Sequence, residues 1–312
     1  MQDPFDRDPT VRYGVPEELA PEGAPRVRRI TARNPSRMTF TGTRSYLVGE
    51  GEVALIDPGP DDSRHHAAIR AALGRDERIA RILVSHTHLD HSPAARAIAG
   101  ATGAPVHAYG PHGAGMSQTM RRLAAEGAAL GGGEGADRAF RPDQAMRDGE
   151  TVEGPGWALT ALHLPGHLSN HLGFALEGAG ILFTGDTVMG WATTLVSPPE
   201  GDMAAFMDSL SRLAARDDRL YLPGHGHPVT DPKGMLAWQI THREERRMQV
   251  LDALETGPAE AAGLARAIYT ELDPALLPAA RRNVLATLLW LADEGRVRPR
   301  GPVSAGVAFE LA

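Results

Sequence analysis

Apolar and polar residues along the first two thirds of the chain follow patterns that predict short strands interleaved with helices. Continuous apolar runs such as 78–85 predict buried strands. In 202–215 the apolar residues instead recur at three- and four-residue spacing, which predicts one face of a helix capped by Asp202. Strands are predicted over 44–50, 52–57, 78–85, 104–110, 157–164, 172–177, 180–186 and 219–228, and helices over 61–73, 93–100 and 202–215. This alternation predicts an α/β domain.

The pattern changes near residue 235, after which three helical stretches follow one another and end in two short strand-like pieces. Three helices followed by a β-ribbon are typical of a winged helix. Before residue 25 the prolines at positions 4, 9, 16, 21 and 25 disfavour long regular elements. We therefore predict three segments: a loosely ordered arm over 1–25, an α/β domain over 26–234 and a mainly helical winged-helix-like domain over 235–312.

Composition narrows the classes of function that the chain can have. The 312 residues are 42% hydrophobic and 23% charged, with a net charge of −7, which gives no global signature of binding to nucleic acid or anionic membranes. No apolar run reaches the length of a membrane span, and the first residues lack the apolar core of a signal peptide, so we expect a cytoplasmic protein without membrane contact. Because the chain has no cysteine, any metal must be held by imidazole and carboxylate groups.

The stretch SHTHLDHS, residues 85–92, concentrates metal-binding side chains immediately after the predicted strand 78–85. His86 and His88 are two residues apart, so both side chains can face the same side and begin a zinc site. Ser92 is predicted to cap the next helix, with Pro93 as its first residue. The motif therefore occupies a loop between a strand and a helix, where α/β proteins usually build their sites.

Three further candidates come later in the chain, each after an apolar strand and beside glycine. They are His167 in PGH, Asp186 in TGD and His225 in PGHG. Glycine lets the backbone turn sharply, so these side chains can point into a shared opening. The spacing alone does not divide the candidate ligands between metal ions.

HTHLDH (86–91), followed in order by PGH, TGD and PGHG, resembles the metal motifs of the metallo-β-lactamase-fold hydrolases. Segments 34–49, 185–194, 222–229 and 242–251 are similar to the subgroup of lactamase-β-like protein 2, an endoribonuclease of mitochondria. The resemblance covers roughly residues 25 to 312. It implies an αββα sandwich with a C-terminal winged-helix domain.

The resemblance also implies a site for two divalent ions, zinc in the first place and manganese or iron as alternatives. His86, His88 and His167 would hold one ion, and Asp90, His91 and His225 the other. Asp186 would bridge both ions, and Asp90 and Asp186 would be the catalytic carboxylates. Asp57 matches a position that supports the histidine loop, and His171 is a candidate for contacting substrate or orienting a ligand.

Two cations that share a water lower its pKa towards 7, so the implied reaction is attack by a bridging hydroxide. We expect an ester, thioester or lactone carbonyl as its target. The sequence leaves open two alternatives, an endoribonuclease of single-stranded RNA and a non-catalytic metal-bearing interaction protein, as well as a homodimer. In the tail only 296–301 is densely basic, which favours packing, dimerisation or shaping of the substrate entrance over nucleic-acid binding. The segment 110–136 is expected to fold over the site.

Overall fold

The computed structural model describes residues 10–133 and 135–312, and two β-sheets dominate its first part. The strands of the first sheet lie side by side in chain order: β1 (Glu17–Glu18), β2 (Val27–Thr31), β3 (Arg44–Val48), β4 (Glu52–Ile56), β5 (Arg78–Leu83), β6 (Val106–Ala108) and β7 (Gln144–Ala145). The second sheet contains β8 (Thr151–Gly154), β9 (Trp157–His163), β10 (Leu172–Leu176), β11 (Ile181–Gly185) and β12 (Leu220–Pro223), in the order β12-β11-β10-β9-β8. Strands β4 to β7 are parallel, as are β11 and β12.

Helices cover the outer face of each sheet and complete four layers. The helices of this part are α1 (Ser63–Ala71), α2 (Ala94–Thr102), α3 (Gln118–Ala125) and α4 (Met203–Ala214). α1 and α2 pack their apolar faces on the first sheet, and α4 packs on the second. Between the sheets, Tyr46 meets Phe183 with ring centroids 5.1 Å apart inside a buried apolar cluster. The αββα prediction is therefore confirmed.

The C-terminal part is a helical domain with a small sheet, as predicted for a winged helix. It contains α5 (Pro232–Leu254), α6 (Ala261–Ile268) and α7 (Leu277–Asp293), a 3₁₀ turn (Pro274–Leu276), and the strands β13 (Ala259–Glu260), β14 (Val297–Pro299) and β15 (Ala308–Leu311) in the order β13-β15-β14. Helix α3 contributes Met120 and Leu123 to the apolar core of this domain. Met120 and Leu123 thus attach this part of the segment 110–136 to the C-terminal domain.

The first 25 residues divide in two. Residues 1–9 lie outside the described part of the chain. Over residues 10–25, β1 pairs with β2, and Leu19 donates its backbone N–H to Val27 at 2.9 Å, so this stretch is attached to the sheet. The boundaries at residues 25 and 234 stay predictions.

The start of α2 differs from the sequence prediction. Pro93 occupies the N-cap position and Ser92 does not cap the helix. The Ser92 hydroxyl instead lies 2.8 Å from the Asp137 carboxylate and donates to it. Hydrogen bonds to ionised groups are the stronger ones, so donation to Asp137 fixes the orientation of the Ser92 side chain, and it accepts no N–H of the first helical turn. Among the described residues, no helix combines the length and apolar character that crossing a bilayer requires.

Candidate metal centre

The candidate ligands gather at one edge of the sandwich because the strands that precede them end there. Asp57 follows β4, His86 and His88 follow β5, Asp186 follows β11 and His225 follows β12. Each of the pairs β4–β5 and β11–β12 is parallel, so the carboxyl ends within a pair point the same way. The loop between β9 and β10 adds His167. All seven predicted ligand residues come together here, in two groups.

The first group consists of His86, His88, His167 and Asp186. His88 Nδ1 lies 3.0 Å from both His86 Nε2 and His167 Nε2. Asp186 Oδ2 lies 3.8 Å from His86 Nε2 and 3.6 Å from His167 Nε2. Bonds of about 2.0–2.1 Å in a tetrahedral arrangement place ligand atoms roughly 3.3–3.4 Å apart. The spacing and the donor atoms therefore fit one divalent ion.

The second group consists of Asp90, His91 and His225. Asp90 Oδ2 lies 3.1 Å from His225 Nε2 and 3.4 Å from His91 Nε2. Asp186 also reaches this group, with Oδ1 3.5 Å from His91 Nε2 and Oδ2 3.3 Å from His225 Nε2. Asp186 Oδ1 is buried and has no hydrogen-bond partner among the described residues. A carboxylate between two such groups fits a bridging ligand.

Neighbouring groups fix the orientation of the imidazole rings. Asp57 accepts from the Ser85 backbone N–H and from the Ser85 hydroxyl, both at 2.7 Å, and from His91 Nδ1–H at 2.9 Å. Since the Ser85 hydroxyl donates to Asp57, it accepts from His86 Nδ1–H at 2.9 Å. His167 Nδ1–H donates to the Leu195 carbonyl at 2.8 Å. In all three rings the lone pair of Nε2 is left free to face the candidate site.

His171 serves a different purpose, because its lone pair is already used. Its Nε2 accepts the backbone N–H of Asp186 at 3.0 Å, and its ring is fully buried, 4.9 Å from the His86 ring. Gly185, with φ +49°, permits this approach, since a Cβ there would lie 2.6 Å from His171 Nε2. His171 therefore holds the backbone of Asp186 and is inaccessible to substrate.

Two residues whose roles sequence reasoning missed also hold the two aspartates in place. The Thr43 hydroxyl donates to Asp90 Oδ2 at 3.0 Å, and the Thr194 hydroxyl donates to the Asp186 backbone carbonyl at 2.7 Å. Thr43 carries no local signal, because it belongs to an ordinary polar stretch before β3. Thr194 lies in the segment 185–194, which resembles the subgroup, but the sequence did not indicate its contact with Asp186.

Burial and neighbouring charges separate the pKa values within the cluster. Burial and the adjacent imidazole of His167 lower the pKa of His88 to about 3. For His225, burial lowers the pKa, but the carboxylates of Asp186 and Asp90 outweigh it and raise the pKa to about 9. The same carboxylates raise the pKa of His91 well above its usual value against burial. Divalent cations would replace these protons as the charges that balance the carboxylates.

Asp90 marks the open side of the cluster. Its side chain is 26% exposed, whereas those of His86 and His91 are fully buried. Substrate can therefore approach from the side of Asp90.

Comparison with known proteins agrees with this geometry. The model of the metallo-beta-lactamase superfamily matches residues 38–225, and that of the beta-lactamase associated winged helix domain matches 261–302. The chain belongs to the metallo-beta-lactamase superfamily. As a superfamily hydrolase it is an enzyme, as predicted. The match to the winged helix domain also confirms the predicted character of the tail.

Relatives of this metallo-beta-lactamase superfamily hydrolase have diverse names. An atrochrysone carboxyl ACP thioesterase of Aspergillus fumigatus is 30% identical over 237 residues, which are 74% of this chain and 66% of that protein. A beta-lactamase-like protein 2 homolog of Drosophila melanogaster is 30% identical over 289 residues, which are 87% of this chain and 89% of that protein. The crystal structure of a beta-lactamase domain protein from Burkholderia ambifaria shares the fold, with a TM-score of 0.80, 23% identity, and coverage of 99% of this chain and 96% of that one.

Proposed function

We propose that the chain is a dinuclear-metal hydrolase of carbonyl substrates, with thioesters as the preferred class and esters and lactones as related ones. The observation that carries the proposal is the pair of ligand groups on either side of the Asp186 carboxylate. We assign one ion to His86, His88 and His167 and the other to Asp90, His91 and His225. Zinc is the metal proposed first. Manganese and iron are the alternatives, because a cysteine-free set of imidazoles and carboxylates also accepts them.

When bound, two such cations lower the pKa of a shared water and polarise the carbonyl oxygen of the substrate. The protein residues position these partners. The Asp186 carboxylate lies between the two ligand groups, where it would offset part of the positive charge of the two cations. Asp90 Oδ2 is held by Thr43, and we assign the other carboxylate oxygen, Oδ1, to accept the proton of the attacking water. No serine or cysteine nucleophile is required.

The substrate class is proposed from the relative named as a thioesterase and from a cavity beside the histidine loop. The cavity has a volume of about 460 Å³. Its apolar lining includes Met116, Ala124, Ala128 and Leu130. His112, which lines it too, lies 3.2 Å from the hydroxyl of Thr87, the residue between His86 and His88. We assign this cavity to the acyl group of the substrate.

The contacts of the tail favour a small molecule over RNA. Arg298 and Arg300 of the basic segment 296–301 both donate to the Glu310 carboxylate, at 2.8 and 2.6 Å. Arg247 pairs with Glu244 and with Glu294. Phosphate binding would have to compete with these carboxylates, which weakens the sequence-independent attraction on which RNA binding depends. The homodimer stays a prediction.

The test uses the purified full chain, its metal content and a substrate panel. Zinc would be supplied and bound metal counted, and hydrolysis of acyl-pantetheine thioesters, aryl esters, lactones and a labelled single-stranded RNA would be compared with and without chelator. We expect two equivalents and chelator-sensitive thioester hydrolysis. RNA cleavage without carbonyl turnover would replace the proposal with the nuclease alternative, and less than one equivalent of bound metal would overturn the two-metal site.

A further inference from the structure

Residues 194–196, which we call the strap, lie in the loop between β11 and α4 and contact two of the candidate ligands. The Thr194 hydroxyl donates to the backbone carbonyl of Asp186 at 2.7 Å. The carbonyl of the next residue, Leu195, accepts from His167 Nδ1–H at 2.8 Å. The strap therefore sets the position of one candidate ligand through its backbone and the ring orientation of another.

The C-terminal domain holds the strap from its other side. Arg243 of α5 donates through Nη2 to the carbonyl of Thr194. Asn283 of α7 accepts the backbone N–H of Val196 at 2.9 Å. Two helices of the C-terminal part of the chain thus fix the strap at its first and last residues. Thr194 itself bonds Asp186, and Val196 follows Leu195, which bonds His167.

Arg243 is an unusual residue for a structural contact. It is only 3% exposed, and in the described ranges no carboxylate lies within 4.0 Å of its guanidinium. Its other neighbour is the ring of Phe206, with the guanidinium carbon 5.2 Å from the ring centroid. Burying a cation without a counter-ion is unfavourable, so packing of the domain alone would favour an apolar residue here. The contact with Thr194 gives a reason for the charge.

We propose that the winged-helix domain braces the metal centre, with Arg243 and Asn283 as positioning residues that act through the strap. The proposal rests on the assignment of Asp186 and His167 as ligands under the proposed function. Partners behind a metal ligand typically change metal affinity or activity 10- to 100-fold when they are removed. This gives the C-terminal domain a part in the hydrolase that requires no nucleic acid.

The test measures Zn²⁺ affinity of the full chain by competition with a chromogenic chelator, alongside the thermal midpoint of unfolding. Arg243→Met should weaken zinc binding by up to about tenfold, the lower limit for a direct partner of a ligand, because Arg243 acts one hydrogen bond further away, and Arg243→Lys, which keeps the charge and a donor group, should restore part of the loss. Asn283→Leu removes the other contact and provides a second variant should Arg243→Met not fold. The matched control is Arg247→Met on the same helix, since Arg247 contacts Glu244, Glu294 and Trp290 and not the strap.

A double-mutant cycle separates positioning from general destabilisation. If Arg243 acts through Thr194, then Thr194→Val and Arg243→Met should weaken zinc binding less together than the sum of their separate effects. Arg247→Met should lower the thermal midpoint while zinc affinity stays at the wild-type value.

Asp186→Ala distinguishes the two proposals. Zinc loss in Asp186→Ala together with wild-type affinity in Arg243→Met and Asn283→Leu would overturn the brace and leave the proposed function standing. Retention of both zinc equivalents in Asp186→Ala would overturn the ligand assignment on which the brace depends.

Discussion

The backbone of Asp186 is held at both of its polar groups, and its carboxylate lies among imidazoles. His171 accepts its backbone N–H, Thr194 donates to its carbonyl, and its carboxylate faces four imidazoles. Burial raises its pKa, and the surrounding imidazoles, His225 first, lower it further than burial raises it, so the group is charged at neutral pH. An aspartate fixed in this way suits the bridging role that we propose for it.

We expect Asp186→Asn to lose at least one zinc equivalent and more than about 100-fold in thioester hydrolysis. The amide is nearly isosteric but uncharged, and removal of a ligand should exceed the 10- to 100-fold effect of removing a ligand's neighbour. Metal counting and initial rates on the same preparation check this. Asp208→Asn, on the exposed side of α4, is the control. Wild-type rates in Asp186→Asn would contradict the bridging role.

Gly224 provides a prediction that depends on space alone. A Cβ on this residue would lie 2.5 Å from Asp186 Oδ1 and 2.6 Å from His91 Cε1, so Gly224→Ala must displace both. We expect zinc affinity to fall by at least about tenfold. Gly100→Ala, where a Cβ meets nothing within 4 Å, should bind zinc normally in the same titration. Equal affinity in the two variants would show that the site tolerates the shift.

The sequence indicates the ligand residues but not the groups that hold them. The candidate ligands stand in short motifs that follow predicted strands and occur in the same order as in the family they resemble, so they can be found by inspection. Thr43 and Thr194 contact Asp90 and the Asp186 backbone through loops that meet only after folding. The role of His171 was equally hidden, because a sequence does not reveal which partner uses an imidazole lone pair.

At the scale of elements, apolar runs predicted most strands of the two large sheets within a few residues, but β1, β2, β7 and β8 were missed, and β2 is the longest of these. Its five residues, VRRIT, include two arginines that interrupt the apolar pattern, although every residue of the strand is buried. Inside the fold, the terminal nitrogens of Arg28 donate to the Glu77 carboxylate at 2.6 Å and to the carbonyls of Ala72 and Gly49. Buried charges with partners from distant segments conceal a strand from pattern analysis.

If the cavity next to α3 holds the acyl group, a larger side chain in its lining should change the preference for acyl chain length. Ala128→Trp should reduce the space for the acyl group and lower kcat/KM for long acyl chains while rates on an acetyl thioester and zinc content stay unchanged. Each methylene that loses burial costs about 0.8 kcal/mol, so the decrease should grow roughly fourfold per methylene. Ala125→Trp, three residues earlier at the end of α3, is exposed and outside the cavity lining and is the control. A uniform decrease over all chain lengths would place the acyl group elsewhere.

At the scale of the whole molecule, the family motifs predict both domains but not how they join. Helix α3 belongs to the first part of the chain, yet Met120 and Leu123 are buried in the core of the C-terminal domain. Thr119 donates to Asp293 of α7 at 3.1 Å, and the Ala305 backbone N–H donates to the Ala129 carbonyl at 3.0 Å. This joining depends on an insertion rich in glycine and alanine, whose pattern does not indicate its partner.

Removal of metal should destabilise both parts of the protein together. A metal that binds only the folded state raises the free energy of unfolding by about 4 kcal/mol per site when its free concentration is a thousand times its Kd. Chelation should therefore lower the thermal midpoint of unfolding by on the order of 10 °C. Because the strap and α3 link the parts, one transition should shift as a whole. Calorimetry with and without chelator measures this shift. Asp186→Asn, which is expected to bind less zinc, should show a smaller shift. A midpoint indifferent to chelator would contradict metal binding by the folded chain.

The position of α3 in the C-terminal core also has a consequence for synthesis. The ribosome releases α3 long before α6 and α7, so Met120 and Leu123 emerge without the apolar surface that later covers them. N-terminal domains usually fold first during translation. In this protein, part of the N-terminal sequence packs into a domain that has not yet been synthesised. The two parts should therefore mature together after the last helices emerge, and a nascent chain stopped before α7 should expose an apolar surface to chaperones.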